Sequence, residues 1–157
     1  MDLRSVMPPS LELGLRDVLQ LAVAYGLAIP IGWNREHEAH TAGIRTFPIV
    51  AVASCALAMV AATLPGANEA TESRVLQGLV TGIGFVGGGA ILRSGSGVRG
   101  VATAASVWCM GIVGAAVGFG AYHIGIAVTA ITFVTLKFFA PLRSEAPPEP
   151  RETNPNA

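Results

Sequence analysis

The densest cluster of chemically competent side chains in this sequence is Glu36, His37, Glu38 and His40. Carboxylates and imidazoles together can ligate Zn²⁺ or another divalent ion. Their spacing matches no established zinc pattern, however, and a solvated loop accounts for the same composition, so neither a metal nor a cofactor is expected. A second candidate is Gly82-x-Gly84-x-x-Gly87, which literally matches the dinucleotide-binding fingerprint. That fingerprint needs an acidic residue about 20 positions further on, and the next carboxylate is Glu145. The three histidines, His37, His40 and His123, offer no nucleophile–base arrangement, so the chain does not read as an enzyme. Cys55 and Cys109 both lie in apolar runs, too few for a disulfide scaffold. They read as small apolar residues.

The elements that carry these residues are dictated by composition. The chain is 52% hydrophobic and only 13% charged, against about 25% charged in a typical soluble domain. Between Arg74 and Ser144 there is no Asp or Glu, and the only cations are Arg93, Arg99, Lys137 and Arg143. Such a chain lacks a charged exterior for water, but suits a lipid-facing one. A formal net charge of zero argues against nucleic-acid binding.

Five apolar runs follow, giving an all-α, polytopic transmembrane bundle of about five spans over residues 18–142. Residues 1–17 form an N-terminal extramembrane segment, and 143–157 a disordered cytoplasmic tail rich in Pro, Glu and Asn. The first span, Val18 to Trp33, reads as an uncleaved helix with a kink at Pro30. Asn34 to Arg45 follows as a polar loop. The second span runs from Thr46 to Leu64, with Pro48 in its first turn, where a missing N–H costs least. Pro65 to Ser73 is a second polar loop. Val75 to Leu92 is a glycine-dense third span, continuous or broken. Arg93 to Gly100 is a short basic loop, and Val101 to Gly120 and Ile124 to Leu142 complete the set.

Arg35, Arg45, Arg93, Arg99, Lys137, Arg143 and Arg151 then share one side of the membrane, against Arg4, Arg16 and Arg74 on the other. The positive-inside rule places the first group in the cytoplasm and the N-terminus outside. Arg35, Glu36 and Arg45 border the first two spans, as interfacial anchors or as a contact site for a partner. Lipid gives helices little hydrophobic reason to associate, so small residues must supply close packing. Gly78/Gly82 and Gly84/Gly88, with Gly87 and Gly89, are expected to pair the third span with Gly111, Gly114 and Gly118 of the fourth. Gln77, Thr81, Thr103 and Ser106 are expected near that seam, hydrogen-bonding across it or lining a ligand pocket. Trp108, mid-span, is expected to pack against the glycine-rich helix, and Trp33 to sit in an interfacial aromatic belt.

Several blocks, in order from about Gly26 to Gly120, resemble the MgtC/SapB family. Ile31-Gly32-Trp33-Asn34-Arg35-Glu36 is similar to its first motif, and Ala42-Gly43-Ile44-Arg45-Thr46 to its AGxRT motif. Arg74 followed by Gly82-Ile-Gly-Phe-Val-Gly-Gly-Gly-Ala-Ile91 resembles its central glycine block, and Arg99-Gly-Val-Ala-Thr103 through Trp108 the segment after it. Gly88 stands where Ala is usual, and Asn34 where Glu is frequent. Some members carry a soluble C-terminal domain, which the short Pro-rich tail here would replace. The resemblance implies a bacterial inner-membrane protein, non-enzymatic, tied to magnesium homeostasis or low-magnesium stress, and to virulence in some relatives. Its partners would be the lipid bilayer, other membrane proteins and a second copy of itself. Arg35, Glu36, Gly43, Arg45, Thr46 and Arg74 would form the binding or partner-contact motif. The alternative is a Mg²⁺ transporter or channel along the third and fourth spans.

Overall fold

The computed structural model describes residues 9–39, 42–94 and 97–139, with side chains described for 12–37, 42–91 and 98–139. Five helices run in chain order: α1 (Pro9–Ala39), α2 (Thr46–Thr63), α3 (Glu69–Gly89), α4 (Val101–Gly118) and α5 (Tyr122–Phe139). Between α3 and α4 the chain forms a small antiparallel ribbon of β1 (Leu92–Ser94) and β2 (Gly97–Arg99), pairing Leu92 with Arg99 and Ser94 with Gly97. The stretch expected as a basic loop is thus paired backbone. The expected segment 1–17 is helical from Pro9 onward, and the tail at 143–157 lies outside the described residues.

α4 is the centre of the bundle. It carries no charged residue and touches all four other helices, α2 most extensively. Val107, Met110, Val113 and Val117 of α4 are fully buried with Ile31 of α1 and Phe47, Ala51 and Cys55 of α2. α5 buries only Gly125 and Thr129, and turns Ile126, Ile131 and Phe138 outward. An apolar exterior over a closely packed interior is what a lipid-facing bundle requires. Four helices are long and apolar enough to cross a membrane: Glu12–His37 within α1, α2, α4 and α5.

α3 departs from the sequence expectation at both ends. Asn68 caps it by accepting from the backbone N–H of Thr71 at 3.1 Å, so the helix starts at Glu69 and takes in Glu72 and Arg74. It stops at Gly89, before the apolar Ile91 and Leu92. The result is a 21-residue helix, about 30 Å long, with a polar first third. It runs antiparallel to α4, with Ile83 against Gly111 and Gly87 against Ala104. Gly100 links the ribbon to α4 with φ at +89°, and a side chain there would overlap the carbonyl of Ala90.

Candidate functional site

α1 does not end at Trp33. The helix continues through Pro30 to Ala39, so Asn34, Arg35, Glu36 and His37 sit on its last turns rather than in a loop. Proline is tolerated there when neighbouring helices cover the freed backbone, and Ile31 beside it is fully buried. Helical periodicity then sends Arg35 and Glu36 to different surroundings. Arg35 is 5% exposed and donates from Nη2 to Asn34 Oδ1 at 3.3 Å. Glu36 is exposed, and its Oε2 accepts the backbone N–H of Ile44 at 2.9 Å, eight residues on.

That one bond closes the turn into α2, and glycine is needed on both sides of it. A β-carbon on Gly43 would overlap the Glu36 carboxylate, and one on Gly32 would meet the Ile44 Cα at 3.0 Å. The Gly43 carbonyl then accepts the N–H groups of Thr46 (3.0 Å) and Phe47 (3.3 Å), starting α2. The two sequence blocks that looked like separate motifs are therefore two halves of one clasp: a helix end supplying Arg35 and Glu36, and a turn supplying Gly43, Arg45 and Thr46. Arg45, at the helix cap, makes no side-chain cap bond and is exposed. Arg74 is not part of the assembly. It lies near the start of α3, at the opposite end of the bundle, and is exposed.

His37 donates from Nδ1 to the Trp33 carbonyl at 3.0 Å, and its ring stacks on Trp33 with centroids 5.1 Å apart. Glu38 and His40, the rest of the expected cluster, lie outside the described side chains. Among the described residues no three His, Cys, Asp or Glu side chains come together as metal ligands.

The packing expectations divide. On α4, Gly114 lies against the Ala51 carbonyl and Ser54 of α2, Gly118 against Cys55 and Ala58, and Gly111 receives the Ile83 side chain of α3. On α3 only Gly87 touches another helix, whereas Gly78, Gly82, Gly84, Gly88 and Gly89 face open space. The seam of α3 is Leu79, Ile83 and Gly87, which recur every fourth residue and are its buried positions. The central pair is accordingly α2 with α4, and α3 is an outer helix on α4 and α2.

Trp108 is 42% exposed, so the bundle covers it only in part. Two of the polar residues expected at the seam bond within their own helices. Ser106 Oγ donates to its own helix at Ala102 O (2.7 Å) and Thr81 Oγ1 to Gln77 O (2.9 Å), while Gln77 is exposed and Thr103 fully buried. Two side chains among the described residues tie helices together, and no motif signals either. Cys55 Sγ of α2 lies 3.9 Å from the Gln20 carbonyl of α1. Gln20 of α1 donates to the carbonyls of Val117 (2.6 Å) and Gly118 (3.0 Å) at the end of α4, where the Val117 carbonyl also accepts the Gly120 N–H at 2.9 Å. A lone amide inside an apolar run was its only signal.

The model of the MgtC family matches residues 21–145 of the chain. Among curated proteins, the chain is 36% identical over 149 residues to protein SrpB of Synechococcus elongatus, covering 87% of this chain and 81% of that one. It is 37% identical to protein MgtC of Brucella abortus and 34% identical to protein MgtC of Salmonella typhimurium, each over 73% of this chain and 48% of theirs. The chain thus spans about half the length of the MgtC proteins. No solved structure matches it significantly.

Proposed function

The chain belongs to the MgtC family of bacterial membrane proteins, and on that footing we propose that it acts in adaptation to low magnesium, without catalysis, by contact with other membrane proteins. The observation that carries this reading is the clasp. Its one carboxylate, Glu36, is held by the Ile44 N–H and pressed against Gly43, and its buried cation, Arg35, sits among protein groups. Carboxylate and guanidinium are thus engaged in holding a shape at the end of α1 and α2. Arg45 is left exposed beside them, as a contact point of fixed position.

Orientation follows from the cations. Arg35, Arg45, Arg99 and Lys137 lie at the end of the bundle where α1 and α5 finish, and Arg16 and Arg74 at the other. Under the positive-inside rule the clasp faces the cytoplasm, across the inner membrane. A transport path along α3 and α4 would have to open where Ile83 is seated on Gly111.

The deciding test is Mg²⁺ flux in liposomes reconstituted with the purified protein, with Arg45→Ala as control. The expected result is flux no higher than in empty liposomes, while the gene restores growth at low magnesium to a strain lacking it and Arg45→Ala does not. Flux that the wild type supports and the variant loses makes the protein a transporter and overturns the reading.

A further inference from the structure

Cys55 has a second sulfur beside it. The sequence reads Cys55 as a small apolar residue, and its fully buried place on α2 agrees with that. One turn further on, however, the Met59 thioether lies 3.8 Å from the Cys55 Sγ, and the Gln20 carbonyl of α1 lies 3.9 Å from the same sulfur. Residues four apart on a helix share a face, so α2 alone sets the two sulfurs side by side. Ala24 of α1 and Val117 of α4, both fully buried, pack against Cys55, with Leu21, Leu27 and Met59 around them. The pair stands near the end of the bundle away from the clasp. Gly118, the last residue of α4, lies against Cys55, and α2 ends at Thr63, one turn past Met59. Met59 is half-buried, so part of the cover over the thiol is one flexible side chain.

We propose that Cys55 and Met59 form a binding site for a soft monovalent metal ion, Cu⁺ or its analogue Ag⁺, held between thiolate and thioether inside the bundle. Donor type, charge and geometry choose the ion. Thiolate and thioether are soft donors, which suit Cu⁺ and not the oxygen-seeking Mg²⁺. Binding exchanges the thiol proton for the metal, H⁺ out and Cu⁺ in, with no electron moved. The occupied site is then neutral, as its apolar surroundings require, whereas Zn²⁺ would leave a net charge buried among them at high cost. Zinc also asks for four ligands, and no three His, Cys, Asp or Glu side chains gather among the described residues. Two metal–sulfur bonds of about 2.3 Å set in line need sulfurs about 4.6 Å apart. The two sulfurs are 3.8 Å apart, and the three rotatable bonds of methionine make up the difference. The inference is independent of the magnesium role.

Competition for Cu⁺ against a chromogenic chelator, with the full chain in detergent under reducing conditions, tests it. The wild type should take up Cu⁺, and Cys109→Ser, which removes the other free cysteine, should leave the affinity unchanged. Met59→Leu conserves side-chain volume and should weaken binding by at least about tenfold, the loss that follows even from changing an outer partner of a metal ligand. Cys55→Ala should abolish binding while circular dichroism shows the helices intact. Where that variant fails to fold, Met59→Leu carries the test alone. X-ray absorption at copper should show sulfur neighbours, and excess Zn²⁺ should not displace the bound ion. No Cu⁺ on folded wild type, an unchanged affinity in Met59→Leu, a loss in Cys109→Ser, or displacement by Zn²⁺ overturns the proposal. None of these outcomes bears on Mg²⁺ flux, so this inference and the proposed function fail separately.

Discussion

α3 carries six glycines and packs against its neighbours with one of them; α4 has three and packs with all three. The spacing is alike in both, yet the consequence differs because of position in the bundle. α4 touches four helices, and its three glycines fall on sides those helices cover. α3 sits at the edge, held by Leu79, Ile83 and Gly87, and most of its glycines point away from the protein. Small residues at i, i+4 state that a close approach is possible. They do not state which surface makes it.

The contrast is sharpest at Gly114. Gly114→Ala drives its new carbon into the Ala51 carbonyl of α2, a backbone atom that cannot swing aside. We expect a loss of about 3 kcal/mol, at the upper end of ordinary overpacking, read as a lower midpoint of thermal unfolding in detergent by circular dichroism. A midpoint equal to wild type would break the comparison. The clasp offers an intermediate case, in which the obstructed neighbour is a flexible side chain. Gly43→Ala must displace the Glu36 carboxylate and give up the Ile44 hydrogen bond, for about 1–2 kcal/mol. The effect should shrink to within about 0.5 kcal/mol once Glu36→Ala has removed the obstruction, since the two positions are coupled. Additive losses in the double variant would show that the clasp is not what Gly43 serves.

Gln20→Leu keeps the side-chain volume and removes both hydrogen bonds to the end of α4. About 1 kcal/mol is expected, because such bonds in membrane interiors are individually modest, with faster hydrogen exchange at the last turn of α4 as the local readout. Protection unchanged there would mean that water or lipid headgroups satisfy those carbonyls equally well. The smallest effect belongs to Gly88→Ala on α3. It has open space and a better helix former in the position, so stability should be unchanged or higher by up to about 1 kcal/mol. A clear loss would mean that α3 has a neighbour on that face within the protomer.

Much of the fold was legible from the chain alone. The long carboxylate-free stretch after Arg74 and the five apolar runs identify a helical membrane bundle, since only internally hydrogen-bonded helices or closed barrels can cross lipid. Helix boundaries were less so. Polar residues after Trp33 read as a loop, whereas the helix needs no apolar side chains once it emerges from the bundle and continues to Ala39. At the start of α3 the Asn68 cap outweighed hydropathy in setting the first residue. The site residues Arg35, Glu36, Gly43, Arg45 and Thr46 were named from sequence, but the contact between Glu36 and the Ile44 N–H spans a turn, and no local pattern encodes it.

The sequence by itself determined the medium, the number of helices and the types of residue at the clasp, because each depends on composition and short-range spacing. Only the tertiary structure decided that α4 is the hub, that its glycines receive α2 and α3, that Arg74 stands apart from the clasp and that the α3 glycines other than Gly87 face outward. The reason is geometric. A helical period specifies which residues share a face, and the direction of that face is set by how five helices settle against one another.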